Sequence, residues 1–186
     1  MKTSINILLV FLFAACTSVP DERMTPYVDF PETRELTART LSLDSALFRY
    51  PYRVRVQDDK AVVLDLHGTE YFFHAFHYPG FHYLSSFGKR GDAPEEMLSA
   101  ENLRWNGNFL WTLDSNKSEL TRLGFASSGD SLLRLEAVSL DEELLRALDF
   151  VQYDDSTFII PDYSGDSRFC LVSRQGKLLH KIGTIP

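Results

Sequence analysis

Three stretches of this chain repeat one another at a nearly constant interval, and that interval restricts the fold more than any other feature. They are Asp59-Lys-Ala-Val-Val-Leu-Asp65, Asn108-Phe-Leu-Trp-Thr-Leu-Asp114 and Ser156-Thr-Phe-Ile-Ile-Pro-Asp162. Each is a polar turn, a hydrophobic run and an aspartate, and the aspartates lie 49 and 48 residues apart. A second feature follows two of them. Phe81-His-Tyr-Leu-Ser-Ser-Phe-Gly88 and Gly176-Lys-Leu-Leu-His-Lys-Ile-Gly183 both end in a hydrophobe and glycine, 95 residues or two periods apart. In the middle repeat Leu120-Thr-Arg-Leu-Gly124 arrives earlier after its aspartate and is read as the matching outer strand. A period of roughly 40 to 50 residues is that of a four-stranded propeller blade. One twisted sheet has two faces to cover, and stacking blades around an axis covers both while leaving only short edges. The expected fold is therefore all-β, with about three β-propeller-type blades of antiparallel strands.

Local signals agree with that period. Short runs rich in aromatic and β-branched residues are bounded by Asp, Gly, Asn or Pro: Arg53-Val-Arg-Val56, Ala61-Val-Val-Leu64, Tyr71-Phe-Phe73, Phe109-Leu-Trp-Thr-Leu113 and Thr157-Phe-Ile-Ile160. Such runs with turn punctuation read as strands. Two exceptions are expected to be helical. Ser139-Leu-Asp-Glu142 fits a capping box ahead of Leu144, Leu145 and Leu148, giving a short helix over 140–148. Pro94-Glu-Glu-Met-Leu98 reads as a single helical turn with proline at its first position.

The N-terminus has the layout of a secretory signal: Lys2, then the apolar run of residues 5–13, then Ala14 and Ala15 before Cys16. The run is shorter than the roughly 20 apolar residues that span a bilayer. A cysteine directly after two alanines resembles the bacterial lipobox, in which that thiol is acylated and becomes the new N-terminus. Residues 1–16 are thus read as a lipoprotein signal peptide, with Cys16 as the site of lipid attachment. Residues 17–35, rich in Thr, Ser, Pro, Asp and Glu, read as a tether, and 36–186 as the propeller domain. The location this implies is the cell envelope, lipid-anchored to the outer membrane on its periplasmic face or at the cell surface. The net charge of −7 becomes one unit more acidic once Lys2 is removed. That excludes a nucleic-acid partner, since phosphate binding needs a basic surface. Beyond Cys16 only Cys170 remains, so no internal disulfide can form. Within Arg-Phe-Cys-Leu-Val it reads as a buried, inert thiol.

Candidate chemistry is sparse. His67, His74, His77 and His82 cluster in sequence. Metal ligands must converge on one point, whereas strand residues three apart face opposite sides, so no metal is expected. No cofactor motif, nucleophile elbow or phosphate loop occurs. Asp65, Asp114 and Asp162, at equivalent places in successive blades, could ring a channel and take a ligand, or could each cap a turn through nearby backbone N–H groups. Tyr78, Phe81 and Tyr83 flank Pro79-Gly80 at a hairpin tip, where they could stack on a sugar or peptide or pack between blades.

One stretch carries a family resemblance. Phe87-Gly-Lys-Arg-Gly-Asp-Ala-Pro-Glu-Glu-Met97 resembles the loop after the outer strand in TolB-like, NHL-like six-bladed propeller lipoproteins of Bacteroides-type bacteria, which read Phe-Gly-Lys-x-Gly-x-Gly-Pro-Gly-Glu and a hydrophobe. Phe87, Gly88, Lys89, Gly91, Pro94, Glu96 and Met97 match; Ala93 and Glu95 replace two glycines. Tyr50-Pro-Tyr-Arg-Val-Arg-Val-Gln-Asp-Asp-Lys is similar to that family's approach to its first blade. The resemblance implies a propeller and an exported lipoprotein, and it implies no catalytic residues. Six blades at this period need about 290 residues, so the chain carries about half a ring. Three explanations follow: a truncated piece of a longer propeller, a dimer of half-propellers joined through open blade faces, or a smaller sheet assembly. Functionally, the leading expectation is a non-enzymatic binding or scaffold lipoprotein for a protein or glycan ligand. A propeller-type hydrolase or lyase on glycan or peptide, and a remnant of a longer propeller protein, are the alternatives.

Overall fold

The computed structural model describes residues 32–41, 43 and 46–185. The signal segment, Cys16 and most of the tether lie outside the described residues. Residues up to Thr40 and those from Leu41 onward form separate units, and every strand belongs to the second. Strands begin at Pro51, later than the apolar pattern from Leu36 suggests.

Twelve strands form three four-stranded antiparallel sheets, each a meander in chain order. The first blade is β1 (Pro51–Gln57), β2 (Lys60–Asp65), β3 (Tyr71–His77) and β4 (His82–Lys89). The second is β5 (Asn102–Asn106), β6 (Phe109–Asp114), β7 (Glu119–Phe125) and β8 (Leu132–Ser139). The third is β9 (Val151–Gln152), β10 (Thr157–Pro161), β11 (Ser167–Ser173) and β12 (Leu178–Thr184). The period of the sequence is thus the period of the blades. The second strands of blades one and two are buried on both faces, which is why Ala61-Val-Val-Leu64 and Leu110-Trp-Thr-Leu113 are continuous apolar runs. The outer strand β8 alternates instead, with one face wet.

The register makes the repeat exact in space. Arg55–Val62–Ala75–Ser85, Arg104–Trp111–Arg122–Glu136 and Val151–Ile159–Leu171–His180 are equivalent cross-strand rows in blades one, two and three. A parallel set is Leu64–Phe73–Phe87, Leu113–Leu120–Val138 and Pro161–Phe169–Ile182. Each blade also breaks register at one equivalent place, between Ala75 and Phe76, Arg122 and Leu123, or Leu171 and Val172. The residue skipped on the outer strand is a leucine every time: Leu84, Leu135 and Leu179. A bulge there adds right-handed twist, which a blade needs to lie against its neighbour.

The core sits between sheets. Val62, Leu64, Phe73, Ala75 and Phe87 of the first blade bury against Met97, Leu103, Leu110 and Leu123 of the second. Trp111, Leu113, Leu120 and Val138 bury in turn against Phe158, Ile160, Cys170 and Val172 of the third. Cys170 is fully buried, and burial pushes its thiol up.

Three expectations need correction. The described residues contain no helix. Over 140–148 the chain forms one turn closed by Leu144 N–H to Asp141 C=O at 3.0 Å, then runs irregularly with Leu144, Ala147 and Phe150 in the core. Nine residues are too few to offset helix nucleation, and Asp141, inside the Ser139–Glu142 pattern, instead accepts the Leu178 N–H of β12 at 3.1 Å. Pro94–Leu98 is likewise a turn, closed by Glu96 N–H to Ala93 C=O at 2.9 Å. Finally, Leu120–Gly124 belongs to the third strand of its blade. The outer strand there is β8, with Val138-Ser139 at the place of Phe87-Gly88 and Ile182-Gly183. Gly88 and Gly183 both have positive φ, and a Cβ on Gly88 would meet Phe73 at 2.6 Å, so glycine is required in the first blade.

Candidate functional site

The repeated aspartates are buried, each on the end of its blade's second strand. Asp65 accepts the N–H groups of Arg49 and Tyr50 at 2.7 and 2.6 Å. Asp114 accepts those of Leu98 and Ser99 at 2.7 and 3.2 Å, the Ser99 hydroxyl at 2.9 Å, and Asn116 and Lys117 N–H from its own turn. Asp162 accepts Arg146 and Ser164 N–H at 3.3 and 3.1 Å. In every blade a donor lies 16 residues upstream, on the segment leading into the first strand. The three carboxylates therefore staple each approach segment to its own sheet, and Asp114 and Asp162 also cap their own turns.

At the hairpin tip, Phe81 packs tilted against Phe76 and edge-on to Tyr78, both at 5.9 Å between centroids. Tyr83 packs edge-on to Phe76 at 5.9 Å and shares a hydrogen bond of 2.8 Å with the Ser86 hydroxyl. That hydroxyl also meets His74 Nδ1 at 2.8 Å. Burial lowers the pKa of His74. His74 faces Ser86 across the sheet and His77 faces His82, so the two halves of this histidine cluster diverge. Among the described residues no three His, Cys, Asp or Glu side chains converge on a metal position.

A different place gathers more chemistry. The first strands of the three blades lie side by side, and polar side chains at equivalent positions link them. Arg53 donates to Asn102 Oδ1, and Asn102 Nδ2 donates to Asp149. Arg104 Nη2 grips both Asp149 oxygens at 3.0 and 2.9 Å, and Arg55 Nε donates to the Leu103 carbonyl at 3.3 Å. Burial, then the neighbouring guanidiniums of Arg53 and Arg104, lower the pKa of Arg55. Below this chain of bonds opens a cleft of about 620 Å³ between blades two and three. Arg55, Arg104, Asn106 and Gln152 supply polar groups to it, Trp105, Trp111, Phe150 and Tyr153 supply rings, and Asp154 and Asp155 lie at its border. Trp105 Nε1 and Gln152 Oε1 have no protein partner. Its lining offers rings and directed hydrogen bonds to whatever enters it.

None of the six residues nominated from sequence lines this cleft; Tyr83 lines a second, smaller one with His74 and Ser86. The available signal for the axial residues was the alternation in Arg53-Val-Arg-Val and Leu-Arg104-Trp, together with the spacing of Arg53, Asn102 and Asp149 at one period each.

Repeated four-stranded meanders, packed face to face with their first strands together around a polar cleft, define a β-propeller-type protein. The chain belongs to the TolB-like 6-blade propeller-like family, whose model matches residues 29–186. Among solved structures it is similar to a candidate exported protein of Bacteroides fragilis, with TM-score 0.62 and 14% identity over 82% of this chain and 43% of that one. It is also similar to a candidate 6-phosphogluconolactonase of Bacteroides fragilis (TM-score 0.52, 11% identity, 72% and 40% of the two chains). A third is a protein of unknown function from Desulfotomaculum acetoxidans (TM-score 0.50, 15% identity, 71% and 42%). These likenesses concern the fold, and the chain spans about two fifths of the length of each. No curated protein matches the chain.

Proposed function

We propose that this protein is an exported, lipid-anchored propeller protein of the cell envelope that binds a protein or glycan ligand and does not transform it. The observation that carries the binding reading is the axial cleft, where four aromatic side chains and six polar side chains share one concave surface. Such a mixture suits a sugar or peptide, whose apolar faces stack while its polar edges are hydrogen-bonded. Export and anchoring rest on the order Lys2, apolar run, Ala14-Ala15-Cys16. Two or more acyl chains hold a protein stably, at ~0.8 kcal/mol per buried CH₂.

The binding reading is tested by screening acidic and neutral oligosaccharides and peptides against the protein, and repeating the hits with Tyr153→Ala. Tyr153 is 68% exposed, so its loss leaves the fold intact. A hit at the cleft weakens about tenfold, or ~1.4 kcal/mol; hits indifferent to Tyr153→Ala and to Arg55→Ala place binding elsewhere. Anchoring is tested by metabolic labelling with an alkyne fatty acid. Labelling that survives Cys16→Ser refutes attachment at that thiol.

A further inference from the structure

The first strands of blades one and two bring more positive charge to the axis than the residues around it neutralise. Arg53, Arg55 and Arg104 stand close enough there that the first and last depress the pKa of Arg55, after burial. Asp149 is the carboxylate that answers them among the described residues. It is engaged by Arg104, whose Nη2 reaches both its oxygens, and by Asn102. Arg53 donates to the neutral Asn102. Arg55 donates only to main-chain carbonyls among the described residues, Nε to Leu103 at 3.3 Å and Nη1 to Val54 at 3.4 Å. Its Nη2 has no partner among them, and the side chain lines the cleft between blades two and three. A half-buried guanidinium beside two others, with no acid of its own, is a receptor for an anion from outside. Its planar fork matches a carboxylate. The chain as a whole carries a net charge of −7, so this positive place is local.

The blade-three wall limits what that anion can be. Asp154 and Asp155, on the turn after β9, border the same cleft. Bonds from the Ser156 N–H, then from the Thr157 and Ser156 hydroxyls, hold the Asp154 carboxyl below its ordinary value, so it is charged at neutral pH. Like charges repel, and a ligand with a row of anions would meet these acids. A ligand with one carboxylate, directed at Arg55, would not. The rest of the lining suits a hydroxylated ring. Trp105 is half-buried and Tyr153 is 68% exposed, so both offer ring surface. Asn106 and Gln152 carry amides that donate and accept, as hydroxyl groups do. Trp105 Nε1 and Gln152 Oε1 lack a protein partner, which is rare for buried polar atoms. A volume of about 620 Å³ is ample for a small oligosaccharide.

We infer that the cleft takes a glycan carrying a single carboxylate, a uronic acid joined to neutral sugar, with the carboxylate on Arg55 and a ring against Tyr153. This rests on the binding reading above and narrows its ligand. Arg55 sets the preference for the acid, while Tyr153 holds the ring whatever its charge, so the two contributions separate by substitution.

The test is titration of the whole protein with a panel of disaccharides that join glucuronic or galacturonic acid to a neutral sugar, each beside its methyl ester. Both tryptophans of the chain line the cleft, so their emission reports binding there, and calorimetry gives the constants. At least one acid is expected to bind tenfold or more tightly than its ester. Arg55→Gln brings that acid to the affinity of the ester and leaves the ester unchanged. Arg55→Lys keeps the charge without the fork and restores part of the preference. Tyr153→Ala weakens acid and ester by the same factor. Circular dichroism of all three variants matches that of the parent. Acid and ester bound equally, and both sensitive to Tyr153→Ala, would overturn the uronate and leave the cleft a glycan site. An acidic peptide bound more tightly than every uronate, or no binding of the panel at about 10 mM, would also overturn it. Binding indifferent to every one of these substitutions would overturn it together with the assignment of binding to this cleft.

Discussion

Among the side chains, the blade aspartates are not equal, and their differences are measurable. Asp114 accepts five hydrogen bonds, from two approach N–H groups, a hydroxyl and two turn N–H groups. Asp162 accepts two, both beyond 3.0 Å. Removing a buried acceptor strands its donors, at about 1 to 3 kcal/mol for each group left unsatisfied. Asp114→Ala is therefore expected to lower stability by about 3 kcal/mol and Asp162→Ala by about 1 kcal/mol. Urea unfolding of the two variants measures this; equal losses would show that hydrogen-bond number does not set the effect. The aspartates were legible as a repeat because a period of 49 and 48 residues survives in the sequence. The axial site was not, because its equivalent positions carry different residues. Arg53, Asn102 and Asp149 become one network only when three strands about fifty residues apart lie side by side.

The twelve strands follow from apolar runs and turn residues, and the blades from their spacing. What failed was the segment between blades two and three. Its capping-box pattern is real as local chemistry, yet Asp141 spends it across the sheet, accepting Glu143 N–H and Leu178 N–H at 3.1 Å each. Those bonds, Glu143 first, hold its carboxyl below the ordinary value of 3.8. The sign follows. A carboxylate whose folded pKa is depressed contributes stability above its unfolded pKa and loses it as the pH falls through the folded value. Stability should thus decline below about pH 4, and Asp141→Asn should flatten part of that decline while leaving pH 7 behaviour governed by the lost charge-assisted bonds. Thermal melts between pH 2 and 7 test it; parallel profiles for the two proteins would remove Asp141 from the acid response. The middle blade's outer strand was misassigned for a related reason. A longer turn over 126–131 displaces β8, and Ser139 stands where the other blades carry the glycine that marks the strand's end.

Three successive sheets make the described blades a nearest-neighbour array, with each blade stabilised by the ones beside it. Blade two is covered on both faces, by the cores around Leu103 and around Trp111. Blade three is covered on one, and its other face carries Phe169 and Ile182 to solvent. Local opening follows such differences in buried contact, since exchange reports the free energy of the smallest unit that must open. In dilute solution the amides of β6 and β7 should therefore be the slowest to exchange deuterium, and those of β10 and β11 faster although equally well hydrogen-bonded in their ladders. Uniform protection of the three sheets would instead show that a blade of this kind is stable with one face open.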